Sequence, residues 1–72
     1  MEVFIFKTDI STKKKAKTLK PVFSSHPIIT DWSIDTEDID NVLRVEASEN
    51  LNENDIITLI KTNGFHCEVL PD

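Results

Sequence analysis

Few residues in this 72-residue chain could do chemistry, and their spacing decides what kind. His66 and Cys67 are adjacent, and His26 supplies a second imidazole; these are residue types that ligate Zn(II) or Cu(I). Adjacent residues on a strand point to opposite faces, which separates the two side chains of the pair. The lone cysteine therefore reads as a small buried core residue, and His26 and His66 as surface residues. A Cys–His nucleophile would also need an oxyanion site, and the one glycine, Gly64, leaves no Gly-rich loop to build it. Carboxylates crowd at Asp35, Glu37, Asp38 and Asp40, but a hairpin tip in water offers no burial or partner to tune them for acid–base work. No catalytic residue is assigned, and the chain reads as a non-enzyme.

The elements that must position these residues start from a length that holds one hydrophobic core, so residues 1–72 read as a single domain. The formal net charge of -5 lacks the cationic surplus that drives binding to phosphate backbones, which argues against nucleic acid as a partner. One cysteine cannot form an internal disulfide, and a reducing, cytoplasmic setting fits that usage. The opening Met1, Glu2, Val3 and Phe4 carry an acid where a secretory leader needs a basic region. Nothing approaches the roughly 20 apolar residues of a membrane span.

Residues 3–6 form an apolar run of strand length. Ser11 or Thr12 can cap the following helix, in which Ala16, Leu19, Val22 and Phe23 share one arc and Lys13, Lys14, Lys17 and Lys20 take the other side. Pro21 kinks or breaks that helix, and Ser24, Ser25, His26 and Pro27 end it. Trp32 and Ile34 alternate with Asp31, Ser33 and Asp35 as a half-buried strand. An acidic connection over residues 35–41 leads to a third strand, with Leu43, Val45 and Ala47 alternating against Val42, Arg44 and Glu46. Asn52 and Asp55 read as cap and partner of a second helix, stapled by Leu51 and Ile56 and buried through Ile56, Ile57, Leu59 and Ile60. Asn63 and Gly64 stop it, and Phe65, Cys67 and Val69 alternate with His66, Glu68 and Leu70 in a last strand. Both helices are apolar on one face only and need a sheet to cover. The order β-α-β-β-α-β predicts an α+β, ferredoxin-like two-layer sandwich: a four-stranded antiparallel sheet with two helices on one face.

The stretch "NENDIITLIKTNGFHCEVL" over residues 52–70, with Trp32 to Ile34 and Leu43 to Val45 as a central hairpin, resembles the second helix, last strand and hairpin of the heavy-metal-associated family that includes copper chaperones. The resemblance covers nearly the full length. That family binds a soft ion through a Met-x-Cys-x-x-Cys loop between its first strand and first helix. Aligned on the helix, Lys7 stands at the Met position, and Asp9 and Thr12 at the two cysteines. One carboxylate and one hydroxyl do not replace two thiolates for Cu(I) and are too few to hold a hard ion, so the resemblance implies a degenerate member without metal or other cofactor.

Two surfaces remain to carry a function. The resemblance implies docking through basic residues near the loop, which assigns Lys13, Lys14, Lys17 and Lys20 to a protein partner of unknown identity. The first strand is apolar on both faces; with Val3 and Ile5 directed inward, Phe4 and Phe6 would lie on the open sheet face beside Val42 and support a homodimer. The leading reading is thus a non-catalytic interaction module. The alternatives are a Cu/Zn-binding or chaperone domain with a non-standard site around Asp9, His66 or Cys67, and a small-ligand regulatory domain.

Overall fold

The computed structural model describes residues 2–48 and 51–70, so Met1 and, in the acidic stretch, Glu49 lie outside the described residues. The elements run β1 (Glu2–Thr8), α1 (Lys13–Lys17), α2 (Lys20–Ser24), β2 (Ile29–Ile34), β3 (Leu43–Ala47), α3 (Glu53–Thr62) and β4 (Cys67–Val69). The strands make one antiparallel sheet in the order β2-β3-β1-β4, the ferredoxin-like arrangement expected from the element order. Leu19, Phe23, Ile56 and Ile60 from the helices meet Phe6, Leu43, Val45 and Cys67 from the sheet in a single core on one sheet face. Among the described residues no helix is long and apolar enough to cross a membrane.

The helix expected across Pro21 is two short ones. Proline lacks an N–H and its ring clashes with the carbonyl four residues back, which here belongs to Lys17, the last residue of α1. The chain bridges the break with tighter bonds, Thr18 N–H to Lys15 O and Leu19 N–H to Ala16 O, and resumes with Pro21 in the first turn of α2, where a donor is not required. The break turns Leu19 and Phe23 onto the sheet, and the Phe23 ring packs on Trp32 of β2 with centroids 4.8 Å apart.

Helix α3 follows its sequence signals closely. Asn52 and Asp55 form a reciprocal capping box. The C-terminus closes as a Schellman motif, with Gly64 N–H bonded to Lys61 O and Phe65 N–H to Ile60 O. Gly64 has φ +89°, a conformation that strains a residue with a side chain. Ile56 and Ile60 are buried, and Ile57 and Leu59 pack half-buried around them.

The expected facing of β1 is inverted. Phe4 pairs with Val45 and Phe6 with Leu43, and paired residues share a sheet face, so the phenylalanines lie under the helices with the two buried β3 residues. Phe6 is fully buried, Phe4 packs half-buried against the core, and their rings stack 6.3 Å apart. Val3, 46% exposed, Ile5 and Lys7 have the other parity and face outward. An apolar run hides its own parity, and a one-residue slip flips every side chain. Lys7 carried the missing signal, because a lysine belongs on the solvated face and fixes the parity of Ile5 and Val3 with it.

Removing the buried ring and trimming the exposed branch separate the two facings. Phe6→Ala should destabilise the fold by about 3–5 kcal/mol and Val3→Ala by less than about 1 kcal/mol in urea titrations followed by Trp32 fluorescence; a larger loss at Val3 than at Phe6 would restore the opposite facing.

Candidate interaction site

One end of the sheet gathers the segments with functional potential: the β1–α1 loop at residues 9–12, the β2–β3 hairpin at 35–41 and the α3–β4 turn at 63–66. Thr8 ties them together. It is 4% exposed, and its hydroxyl donates to Asn41 O at 2.7 Å while accepting from Ile10 N–H at 3.2 Å. Its own N–H donates to Asp40 O at 3.1 Å, and its Cα pairs with Cys67. Strand, loop, hairpin and β4 are thus locked through one threonine.

The loop positions assigned to the metal motif are engaged in backbone bonds. Asp9 Oδ1 accepts from His66 N–H at 2.9 Å, closing the loop onto the start of β4. Thr12 is the N-cap of α1, its Oγ1 accepting from Lys15 N–H at 3.1 Å. Asp9 and His66 are therefore neighbours, but through the His66 backbone. The His66 imidazole lies 3.8 Å from Glu68 on the outer face.

Cys67 points the other way and is 2% exposed in the core, as its alternation with His66 predicts. Burial pushes its thiol from the ordinary 9.0 up to about 11, with Lys61 pulling it down and Glu68 adding to the rise. Among the described residues no three His, Cys, Asp or Glu side chains gather as a ligand group. The surface expected for His26 is corrected: it is half-buried, and its Nδ1 is enclosed with no hydrogen-bond partner among the described residues. Its backbone explains the burial, because His26 N–H bonds to Phe23 O and its carbonyl accepts from Ile29 N–H, pinning it between α2 and β2.

The lysines are partly organised. Lys13, Lys17 and Lys20 rim a groove of about 290 Å³ whose floor is Ala16, Trp32 and Ile34 and whose end is closed by Thr36. Lys14 is exposed and outside this lining. The groove exists because Trp32 and Ile34, on the core face of β2, are left half-buried beside the short α1. Periodicity located the lysines and the two apolar residues separately, but not their meeting, which depends on the helix break.

α3 begins with Glu53 and Asp55 and ends with Lys61, each charge at the favourable end. α1 has no acid in its first turn, begins at Lys13 and carries Lys14, Lys15 and Lys17 in its last turn, where cations are favoured.

The open sheet face is less apolar than two outward phenylalanines would make it. Val3 and Ile5, with Leu70 joined to Ile5 through a 3.1 Å backbone bond, are surrounded by Lys7, Arg44, Glu46 and Glu68. Arg44 pairs with Glu46 at 3.3 Å, and Lys7 with Asp40 at 3.6 Å.

No family model and no curated protein matches the chain. Solved structures do. One, described as "Crosstalk between Cu(I) and Zn(II) homeostasis", superposes with a TM-score of 0.81 at 10% identity over 97% of this chain and 100% of its own. Another, a yeast copper transporter domain solved in the apo and Cu(I)-loaded states, gives 0.81 at 19% identity over 100% and 99%. At these identities the likeness is one of fold, and it supports the ferredoxin-like architecture.

Two substitutions test the end's construction. Thr8→Val keeps the shape but leaves Asn41 O and Ile10 N–H without their partner, and should cost about 1–3 kcal/mol in urea unfolding. For Cys67, the folded state holds the thiol proton more tightly than the unfolded one, so its contribution is complete below pH 9.0 and lost as pH rises toward about 11. Iodoacetamide labelling at pH 8 should be slow in buffer and fast in urea; rapid labelling of the folded chain would contradict the burial.

Proposed function

We propose that this chain is a non-catalytic, cytoplasmic protein-interaction module on a heavy-metal-domain-like scaffold, docking its partner at the lysine-rimmed groove between α1 and β2. The observation that carries this is the groove itself: an apolar floor of Trp32 and Ile34 ringed by Lys13, Lys17 and Lys20, the surface that an acidic segment with one apolar side chain complements. The engagement of Asp9 and Thr12 in backbone bonds supports the loss of an inherited metal site. The homodimer through the open sheet face loses Phe4 and Phe6 and keeps the smaller Val3, Ile5 and Leu70 as apolar content.

A second reading, metal binding at a non-standard site, is favoured by the adjacency of Asp9 and His66 and by the Cu(I) and Zn(II) named for the structural neighbours. Titration of the reduced protein with Cu(I) and Zn(II), followed by mass spectrometry of the intact complex, separates the two. The interaction reading expects no tight one-to-one complex; a tight one transfers the assignment to metal handling. On the groove, the double variant Lys13→Glu/Lys17→Glu should weaken binding of an acidic peptide centred on one leucine by about tenfold or more, as read by nuclear magnetic resonance of the Trp32 indole. Unchanged affinity would remove the groove from the proposal.

A further inference from the structure

Resting on the reading of the groove as a docking site, we infer that its occupant is the acidic β2–β3 hairpin of a second copy of this chain, with Ile39 seated on the Trp32–Ile34 floor. Ile39 is 93% exposed, far beyond the 46% of Val3 and 43% of Val69. The segment that carries it is held by hydrogen bonds. Asp35 Oδ1 accepts from the N–H groups of Glu37 and Asp38, and Asp38 Oδ1 from Asp40 N–H. Asn41 N–H bonds to Asp38 O, and the hairpin's base is fastened to Thr8 at Asp40 O and Asn41 O. Ile39 is thus a pre-organised anchor, and little further ordering opposes its burial.

The flanking charges match the groove. Asp35, Glu37 and Asp38 are exposed around Ile39, opposite in sign to Lys13, Lys17 and Lys20 around the floor. A groove of about 290 Å³ admits one branched aliphatic side chain. Within one chain the hairpin reaches the groove only through Thr36, and Ile39, almost wholly in water, is not among the residues that line it. The contact is therefore between copies: exchanged reciprocally, hairpin of each in the groove of the other, it closes a two-fold dimer, and exchanged one way it generates rings or open chains. A single anchor with a charged ring makes a small interface, so association is weak and salt-sensitive.

Sedimentation velocity of the intact chain at low salt, up to about 1 mM, tests this. The expected result is a weight-average mass that rises with concentration to a dimer or beyond. Ile39→Asp should weaken the association by at least about tenfold, and Lys13→Glu/Lys17→Glu likewise. Lys14→Glu/Lys15→Glu, which changes net charge equally outside the groove, should leave it intact. Circular dichroism of each variant checks that it folds. The decisive arm mixes the Ile39→Asp chain with the Lys13→Glu/Lys17→Glu chain. Each lacks one half of the contact, so together they should stop at a one-to-one dimer. Monomer at every concentration, or association indifferent to both substitutions, overturns the inference. Acidic-peptide binding to the groove of such a monomer would leave the interaction module standing with a different partner.

Discussion

Phe6 is paired with Leu43 on one side and Val69 on the other, and its side chain is fully buried beneath the helices. This position sets the parity of β1, and through the two ladders the parity of the neighbouring strands. With no disulfide and only 72 residues, the chain depends on that face for its core. Thr8, at the same parity two residues on, converts the end of the core face into a polar lock, so that the facing that buries Phe6 also aims the Thr8 hydroxyl at Asn41. Had β1 slipped by one residue, Lys7 would have entered the core and the hairpin would have lost its tether.

The second constraint is local. Pro21 forbids a continuous helix from Lys13 to Ser24, and the energetic conflict is relieved at Thr18 and Leu19 rather than at the proline. Splitting the helix lets α2 seat Phe23 on Trp32 while α1 stays short and contributes no buried residue. A straight amphipathic helix of that length would press an apolar face on the sheet throughout. The broken one leaves part of Trp32 and Ile34 uncovered and stands three lysines over the gap.

Legibility in the sequence followed the independence of each signal. The α3 cap and stop, the β2 and β3 alternations and the buried Cys67 depend on nearest neighbours and a clear polar phase, and they were readable. β1 was not readable from its apolar run, since Val3, Phe4, Ile5 and Phe6 give the same pattern in either phase; only Lys7 distinguishes them. His26 was misjudged because residue type says little when two backbone bonds hold it at the seam of α2 and β2. The groove was illegible for a different reason: its parts come from three elements, and their juxtaposition follows from where the helix breaks, which Pro21 announces without specifying the residue.

The loop end then has a physical logic of its own. Asp9 to His66, Thr12 to Lys15 and Thr8 to Asn41 hold the β1–α1 loop and the segments beside it through hydrogen bonds. The Thr8 bond also fastens the acidic hairpin at this end with Ile39 in water, beside the groove that Lys13, Lys17 and Lys20 rim. On the reading proposed above, the loop end, rather than the ion-paired open sheet face, is where association relieves what folding leaves exposed: the Ile39 side chain and the half-buried Trp32 and Ile34.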